Sequence, residues 1–274
     1  MYYNGSRSTL SASSLEDVTD RVGSDGHLTL NFPQAEGLEY QVFAFYQNHS
    51  SYLEQASPLD LNTTVPQSPV ESFVQNGSRV VDHFSAAGAK VITNFWDQYL
   101  LDEDTKQLLI DVGNFAWEDS MEIGAGTLLW WTPNLLDAFK AGRGYELRKY
   151  LPLIYSYNTE ANGPLASPDH YYTDEADLGQ AHVNDYWQTL TELNRIYLET
   201  LRDWSQDTLQ SQFSAQVSYN LPMDMLANVP AVNAPECESL GFNHVIDAYR
   251  QFSGPANCKS EKHRQPNVLA DPCM

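Results

Sequence analysis

Alternating apolar and polar residues predict two short strands near the start of the chain. Residues 1–26 are rich in Ser, Asp and Gly, a composition that is typical of a loop. Apolar residues then alternate with polar ones over 28–32 (LTLNF), and we expect a half-buried strand there. Residues 40–46 (YQVFAFY) predict a second strand. Three prolines lie within 47–78, so we expect this stretch to form a long exposed connection.

Apolar residues spaced by three or four positions predict helices in the rest of the chain. The first helix is expected from residue 82, with an apolar stripe formed by Phe84, Ala87, Val91, Phe95 and Tyr99. A second helix is expected after Pro133, because proline suits a first helical turn. The longest predicted helix carries one continuous stripe, formed by Tyr186, Leu190, Leu193, Tyr197, Leu201 and Trp204. A last helix is expected over 242–252.

Short apolar runs between the predicted helices indicate further strands at 112–117 and 213–219. Strands that alternate with helices favour βα units around a parallel sheet, and the simplest closed form of that arrangement is a (β/α)8 barrel. Only about four such units are countable, whereas a complete barrel has eight and about 250 residues. The predicted fold is therefore α/β: a partial (β/α)8 barrel preceded by a short β-rich segment.

Charge and composition exclude several classes of function. Fifteen Lys and Arg residues stand against 36 Asp and Glu, and the formal net charge of -21 disfavours nucleic acid and anionic membranes as partners. The longest apolar runs are far shorter than the roughly 18 residues that a membrane-spanning helix needs. Three cysteines without a Cys-x-x-Cys pair do not support a disulfide scaffold or a structural zinc site. Serine-hydrolase and phosphate-binding motifs are also lacking from the sequence.

Four Asn-x-Ser/Thr sequons favour a glycosylated, extracellular protein. Their asparagines are Asn4, Asn48, Asn62 and Asn76, and all four fall in segments predicted to be polar loops. The chain opens without the basic and apolar regions of a signal peptide, so we expect it to be part of something longer.

A first group of carboxylates follows the strand predicted at 112–117. Glu118, Asp119 and Glu122 come directly after it, and Trp117 adds an apolar wall. Catalytic groups of barrel enzymes lie at the carboxyl ends of the strands, and neighbouring carboxylates raise one another's pKa, which lets a proton donor and an ion coexist. The alternative interpretation of this group is a solvated acidic turn.

A second group of carboxylates contains Glu236 and Glu238, which alternate and so point the same way in an extended segment. The alternative is that Glu238 only favours the start of the helix expected at 242. Aromatic residues recur near both groups, among them Trp117, Trp131 and Tyr219. Aromatic faces beside carboxylates suit sugar rings, since ring C–H groups stack while hydroxyls bind the acids.

Five segments together resemble the fungal-type secreted α-L-rhamnosidase family, whose members combine a (β/α)8 barrel with β-rich accessory domains. Residues 18–33 are similar to its L-T-x-x-V-x-x-D-G-x-L-x-W-x-V-P segment, and residues 81–89 to its V-D-x-x-S-x-x-A helix start. Three further motifs, D-S-W-E, W-T-P-x-F-x-x-x-F and R-G-Y-D-L-x-x-Y-L-P, match residues 118–122, 131–139 and 143–152 in the family's order.

The resemblance implies an inverting glycosidase that acts on terminal α-L-rhamnosides, with a calcium ion near the sugar. Glu122, the glutamate of the D-S-x-E motif, would be the general acid, and Glu238 or Glu236 would activate water as the base. Asp119 would hold the acid or bind a cation or sugar hydroxyls. Trp117, Trp131 and Tyr219 would contact the substrate.

The same comparison divides the chain and leaves a second hypothesis open. We expect a β-rich leader with a sequon-bearing loop over 1–80, the partial barrel over 81–257 and a divergent or disordered tail over 258–274. Met121 replaces the tryptophan of D-S-W-E, and residues 217–220 lack a glutamate that the family has at a strand end. The alternative is a truncated, non-catalytic relic that binds carbohydrate or a partner. An incomplete barrel would expose strand edges and favour self-association.

Overall fold

Helices alternate with short strands in the computed structural model, which describes residues 6–33, 36–37, 39–47, 80–121, 129–156, 169–217, 223–237 and 245–257. The helices are α1 (Ala86–Phe95), α2 (Glu103–Val112), α3 (Leu135–Arg143), α4 (Leu151–Ser156), α5 (Gln180–Leu209), α6 (Met225–Asn228), α7 (Ile246–Arg250) and α8 (Ser253–Ala256). The strands are β1 (Ser6–Leu10), β2 (Phe115–Glu118), β3 (Asp169–Thr173), β4 (Gln212–Ala215) and β5 (Ala234–Pro235).

All described strand pairs are parallel, which confirms the predicted α/β class. β1 pairs with β3, and β2, β4 and β5 form a second sheet in that order. Parallel neighbours need crossover connections. Helices α3, α4 and α5 lie in the chain between β2 and β4, and α6 lies between β4 and β5. Within the described ranges the two sheets do not join into a closed barrel.

Helix α5 organises the core. It has 30 residues, a length of about 45 Å, so it extends well beyond the four-residue strands that it covers. Tyr186 and Leu190 lie in one core cluster with Phe84, Met121, Trp130, Leu135, Phe139, Leu147, Leu151 and Ile154. Tyr197, Leu198 and Leu201 lie in a second, against the sheet, with Ala89, Phe213, Ala215, Val217, Val229, Ala231, Val232 and Phe252. The stripe predicted for the longest helix is therefore confirmed at these positions.

Helix α3 also agrees with its pattern. Leu135 and Phe139 are fully buried one turn apart, on the side that faces α5. The helix ends at Gly144, whose φ of 80° is a left-handed conformation that glycine adopts without strain. The sequence offers both Gly142 and Gly144 as the end of this helix, and the structure selects Gly144.

The apolar stripe predicted for the first helix is fully buried only at Phe84, which lies before the helix begins at Ala86. Val91 and Tyr99 are 58% and 73% exposed, and α1 buries Gly88, Ala89 and Thr93 instead. The buried face is rotated because small residues let α1 pack closely against α5 and the chain before it. The larger apolar residues consequently lie on the outside, and the helix continues after Phe95 as a π-helical turn over Trp96–Leu100.

The β-rich character predicted for the leader is also wrong in its described part. Residues 28–32 and 40–46 form no strand there, whereas the segment predicted as a loop contains β1. Phe43 packs edge-on against Tyr171 of β3, and Gln41 donates to the hydroxyl of Tyr171. Residues 40–46 are therefore held by aromatic packing rather than by pairing with another strand. The polar residues of β1 form a strand because they pair with β3.

Several sequence predictions agree in outline or lie outside the described residues. The strand expected at 112–117 begins at Phe115, after α2, and the one expected at 213–219 is β4. The described part of 242–252 contains α7. All four sequon asparagines and the tail over 258–274 lie outside the described residues.

A search of the described residues finds no helix with the length and apolar character that crossing a membrane requires.

Candidate functional site

The carboxyl ends of β2, β4 and β5 form one edge that carries two of the predicted acidic groups. The amide of Gln216 donates to the carbonyl of Glu118 over 3.3 Å, and the amide of Glu236 donates to the carbonyl of Ala215 over 2.9 Å. Glu118 and Glu236 therefore extend the ends of the two outer strands, on either side of β4. In open parallel sheets, ligands bind at this edge.

Trp117 and Glu236 meet at this edge although 119 positions separate them in the chain. The indole N–H of Trp117 donates to the Oε2 atom of Glu236. Trp117 pairs with Ser214 on the sheet face that α5 does not cover, and its residue surface is 56% exposed. The result is an exposed aromatic ring with a carboxylate fixed at its polar end.

Glu118 points to the opposite face, because successive side chains alternate across a strand. It lies beside the buried Ala215, and its Oε1 atom accepts a hydrogen bond of 2.6 Å from the Tyr197 hydroxyl of α5. The Nε2 atom of His83 lies 3.6 Å from the same oxygen. Glu118 is thus held inside the helix layer, whereas Glu236 is held on the open face.

His83 is a neutral neighbour of Glu118. Burial lowers the pKa of His83, and the carbonyl of Val81 and the charge of Asp82 offset this effect only in part. The Nδ1 atom of His83 lies 2.9 Å from the Val81 carbonyl, which requires the ring proton on that nitrogen. The contact between His83 and Glu118 is therefore not an ion pair at neutral pH.

The acidic turn after β2 is anchored at both ends. Glu118 is bound to Tyr197 at its start, and Met121 is buried in the first core cluster at its end. Asp119 between them is exposed. The turn consequently presents Asp119 to solvent at the carboxyl edge of the sheet and leads the chain toward position 122.

The predicted site residues fall into three groups. Trp117 and Glu236 are in direct contact, and Asp119 lies on the same edge of the sheet. Trp131 is half-buried and packs against the first core cluster. Glu122, Glu238 and Tyr219 lie outside the described residues.

Sequence reasoning missed the part that Tyr197 and His83 play. Tyr197 belongs to the apolar stripe of the longest helix, so its ring was interpreted as core packing alone. A buried tyrosine needs a partner for its hydroxyl, and this requirement was the available signal. The sequence held no comparable signal for His83, because its contact to Glu118 spans two elements that only folding brings together.

The described residues do not test the calcium ion that the resemblance implies, because Glu122 and Glu238 lie outside them. Calcium takes six to eight oxygen ligands. Among the described residues no group of three or more His, Cys, Asp or Glu side chains could hold a metal ion. No step of the chemistry considered below depends on a cation.

Tyr197→Phe is expected to lower the free energy of unfolding by about 2 kcal/mol, since it removes a hydrogen bond to the half-buried carboxylate of Glu118. Tyr186→Phe is the matched control, because the Tyr186 hydroxyl donates 2.6 Å to the neutral carbonyl of Trp130 in the same helix layer. We expect that loss to be about 1 kcal/mol. Urea denaturation of both variants measures the difference, and equal losses would contradict the role given to Glu118.

Neither protein-family models nor the sequences of curated proteins give a match to this chain.

Proposed function

We propose that the protein is a glycoside hydrolase that cleaves terminal α-L-rhamnosides by an inverting mechanism with two carboxylates. The observation that carries the proposal is the edge where acidic groups end β2 and β5 beside the exposed ring of Trp117. Carboxylates supply the acid and the base of glycoside hydrolysis, and an aromatic face supplies a stacking surface for the sugar. The rhamnoside itself is inferred from the motifs of the resembling family.

The residues proposed as acid and base follow the two outer strands in the chain. Glu122, after β2, protonates the oxygen of the leaving group, and Glu238, after β5, takes a proton from the water that attacks the sugar. Glu236 is the less favoured base, because the Trp117 indole already occupies one of its oxygens. Asp119 holds the acid or binds sugar hydroxyls.

We infer inversion rather than retention from the motifs of the resembling family. Strand β4 lies between β2 and β5, so the outer backbones are about 10 Å apart. An inverting pair needs carboxyl groups about 6.5–9.5 Å apart, whereas a retaining pair needs about 5 Å.

We also propose that the parallel sheets belong to a partial (β/α)8 barrel of an extracellular protein. Parallel strands joined by helical crossovers support this architecture. A partial barrel leaves strand edges without partners, and we expect self-association through them. Size-exclusion chromatography is expected to show a dimer or larger species, and a monomer at every concentration tested would count against the partial barrel.

A non-catalytic carbohydrate-binding protein of the same family is the second candidate. The contact between Trp117 and Glu236 favours it, since an aromatic ring with a fixed carboxylate can stack on a sugar and accept hydrogen bonds from its hydroxyls without any proton transfer. The small number of βα units and the lack of a glutamate within residues 217–220 support the same candidate.

The deciding experiment measures turnover and binding on the same preparation. Release of nitrophenol from an aryl α-L-rhamnoside, with and without calcium, is expected if the protein is an enzyme. Rhamnose binding without turnover, followed by the quenching of tryptophan fluorescence, would support the binding protein. A folded chain that does neither would contradict both candidates.

A further inference from the structure

Large apolar side chains cover the outer surface of α1 and of the π-helical turn that follows it. Tyr99 is 73% exposed, Val91 58% and Trp96 39%. The ring centroids of Phe95 and Tyr99 lie 5.3 Å apart, and Trp96 meets Trp204 of α5 edge-on, with 6.3 Å between the centroids. Val91, Phe95, Trp96, Tyr99 and Trp204 are here named the aromatic ridge. The ridge belongs to the helix layer rather than to the carboxyl edge of the sheet.

The packing of α1 explains why these side chains lie outside. The helix buries its small residues, Gly88, Ala89 and Thr93, so its larger side chains point away from the core. Exposed apolar surface that is contiguous in this way marks interaction sites. Short π-helical turns are also frequent at functional sites, and one carries Trp96 and Tyr99. The aromatic ridge is therefore a candidate interaction surface.

Asp97 adds a fixed negative charge to the aromatic ridge. The indole N–H of Trp204 is shared between its two carboxylate oxygens, at 3.1 Å from Oδ1 and 3.3 Å from Oδ2. The neighbouring acid on α5, Asp203, is paired with Arg202. Within the described ranges Asp97 has no basic side chain at ion-pair distance, and its partner is the neutral indole alone. Its charge is therefore oriented by the protein but not neutralised by it.

The charge around the aromatic ridge is negative as well. Over residues 86–112 five acids stand against two lysines, namely Asp97, Asp102, Glu103, Asp104 and Asp111 against Lys90 and Lys106. The face of an aromatic ring is also negative, so cations bind over it. The net charge of -21 repels a second copy of the chain. A surface that is both aromatic and acidic is complementary to a positively charged partner.

We propose that the aromatic ridge docks a basic, amphipathic segment of a partner protein, with an arginine stacked on Trp96 or Tyr99 and paired with Asp97. A guanidinium group suits this place because it is planar, stacks on aromatic faces and pairs with a carboxylate. Apolar side chains of the same segment cover Val91 and Phe95. The charge of the arginine and the apolar contacts on either side of it are both needed.

The test is the binding of a labelled synthetic peptide with arginines on one helical face and leucines on the other, followed by fluorescence anisotropy. Asp97→Asn removes the charge, and the new amide oxygen still accepts from Trp204, so the fold is kept. We expect this variant to raise the Kd by about tenfold. Tyr99→Ser removes an exposed ring and should raise the Kd by about threefold.

Glu39→Gln is the matched control for charge. It changes the net charge by the same amount at an exposed position of the segment that packs on β3, so it should change the Kd by about twofold or less. The same peptide with citrulline in place of arginine keeps the shape but not the charge, and it should bind at least about tenfold more weakly.

Equal losses in Asp97→Asn and Glu39→Gln would show that the peptide follows net charge alone, and this result would overturn the proposal. Equal binding of the arginine and citrulline peptides, or no binding of the arginine peptide to the wild type, would also overturn it. Circular dichroism of each variant confirms that the fold is kept. None of these readouts depends on the glycosidase activity proposed above.

Discussion

Glu122→Gln is expected to lower the rate of rhamnoside hydrolysis by about 10²–10⁴, because a glutamine cannot protonate the leaving oxygen. The loss should depend on the leaving group. Nitrophenolate leaves with little help from an acid, whereas an alkoxide needs the proton, so an alkyl α-L-rhamnoside should show the larger loss. Initial rates on the two substrates measure this difference.

Glu238→Gln provides the contrasting pattern for the base. The base acts on water rather than on the leaving group, so its loss should reduce the rates on both substrates to a similar extent. Glu236→Gln should have the smaller effect, since Trp117 binds that carboxylate. Glu103→Gln, in the exposed first turn of α2, is the control that should leave the rates unchanged. Equal losses for Glu122→Gln on the two substrates would argue against its role as the acid.

Gly88→Ala is expected to destabilise the protein by about 3 kcal/mol or more, because the new methyl group has no space. A Cβ at this position would lie 1.8 Å from the backbone oxygen of Asp82. Asp82 has little freedom to move away, since its carboxylate accepts from the amide of Phe84 and from the hydroxyl of Thr132. Urea denaturation measures the loss.

Gly142→Ala is the matched control for that substitution. Gly142 also lies in a helix, α3, but the nearest atom to an added Cβ is Glu192 Oε2 at 3.8 Å, an ordinary contact. Alanine should therefore stabilise α3 by about 0.5–1 kcal/mol. A Gly88→Ala protein as stable as the wild type would show that the segment before α1 does not pack as described. Because Asp82 precedes His83, the variant should also disturb the contact between His83 and Glu118.

Local periodicity was a good guide where a helix packs along one long face. The stripe of α5 is buried at Tyr186, Leu190, Tyr197 and Leu201, because its residues repeat over many turns and the two core clusters cover them in succession. The short helix α1 was different. Its pattern predicted the stripe with Val91 and Tyr99, whereas close packing against α5 buries Gly88, Ala89 and Thr93.

The candidate site was predictable only as two separate acidic groups. Strand ends followed by carboxylates indicated where chemistry could lie, and β2 and β5 do end at one edge. The contact of Trp117 with Glu236 and that of Tyr197 with Glu118 join residues 119 and 79 positions apart. No local pattern determines which distant residues meet, so neither contact could be predicted.

The sequence by itself determined the α/β class, the long helix α5 and the strongly acidic composition, because these depend on composition or on residues within a few positions of one another. Only the tertiary structure decided that β1 pairs with β3, which face α1 buries, and that Glu118 and Glu236 point to opposite faces of the sheet. These features depend on which distant segments pack together. That choice is made by burial and hydrogen bonding summed over the whole chain.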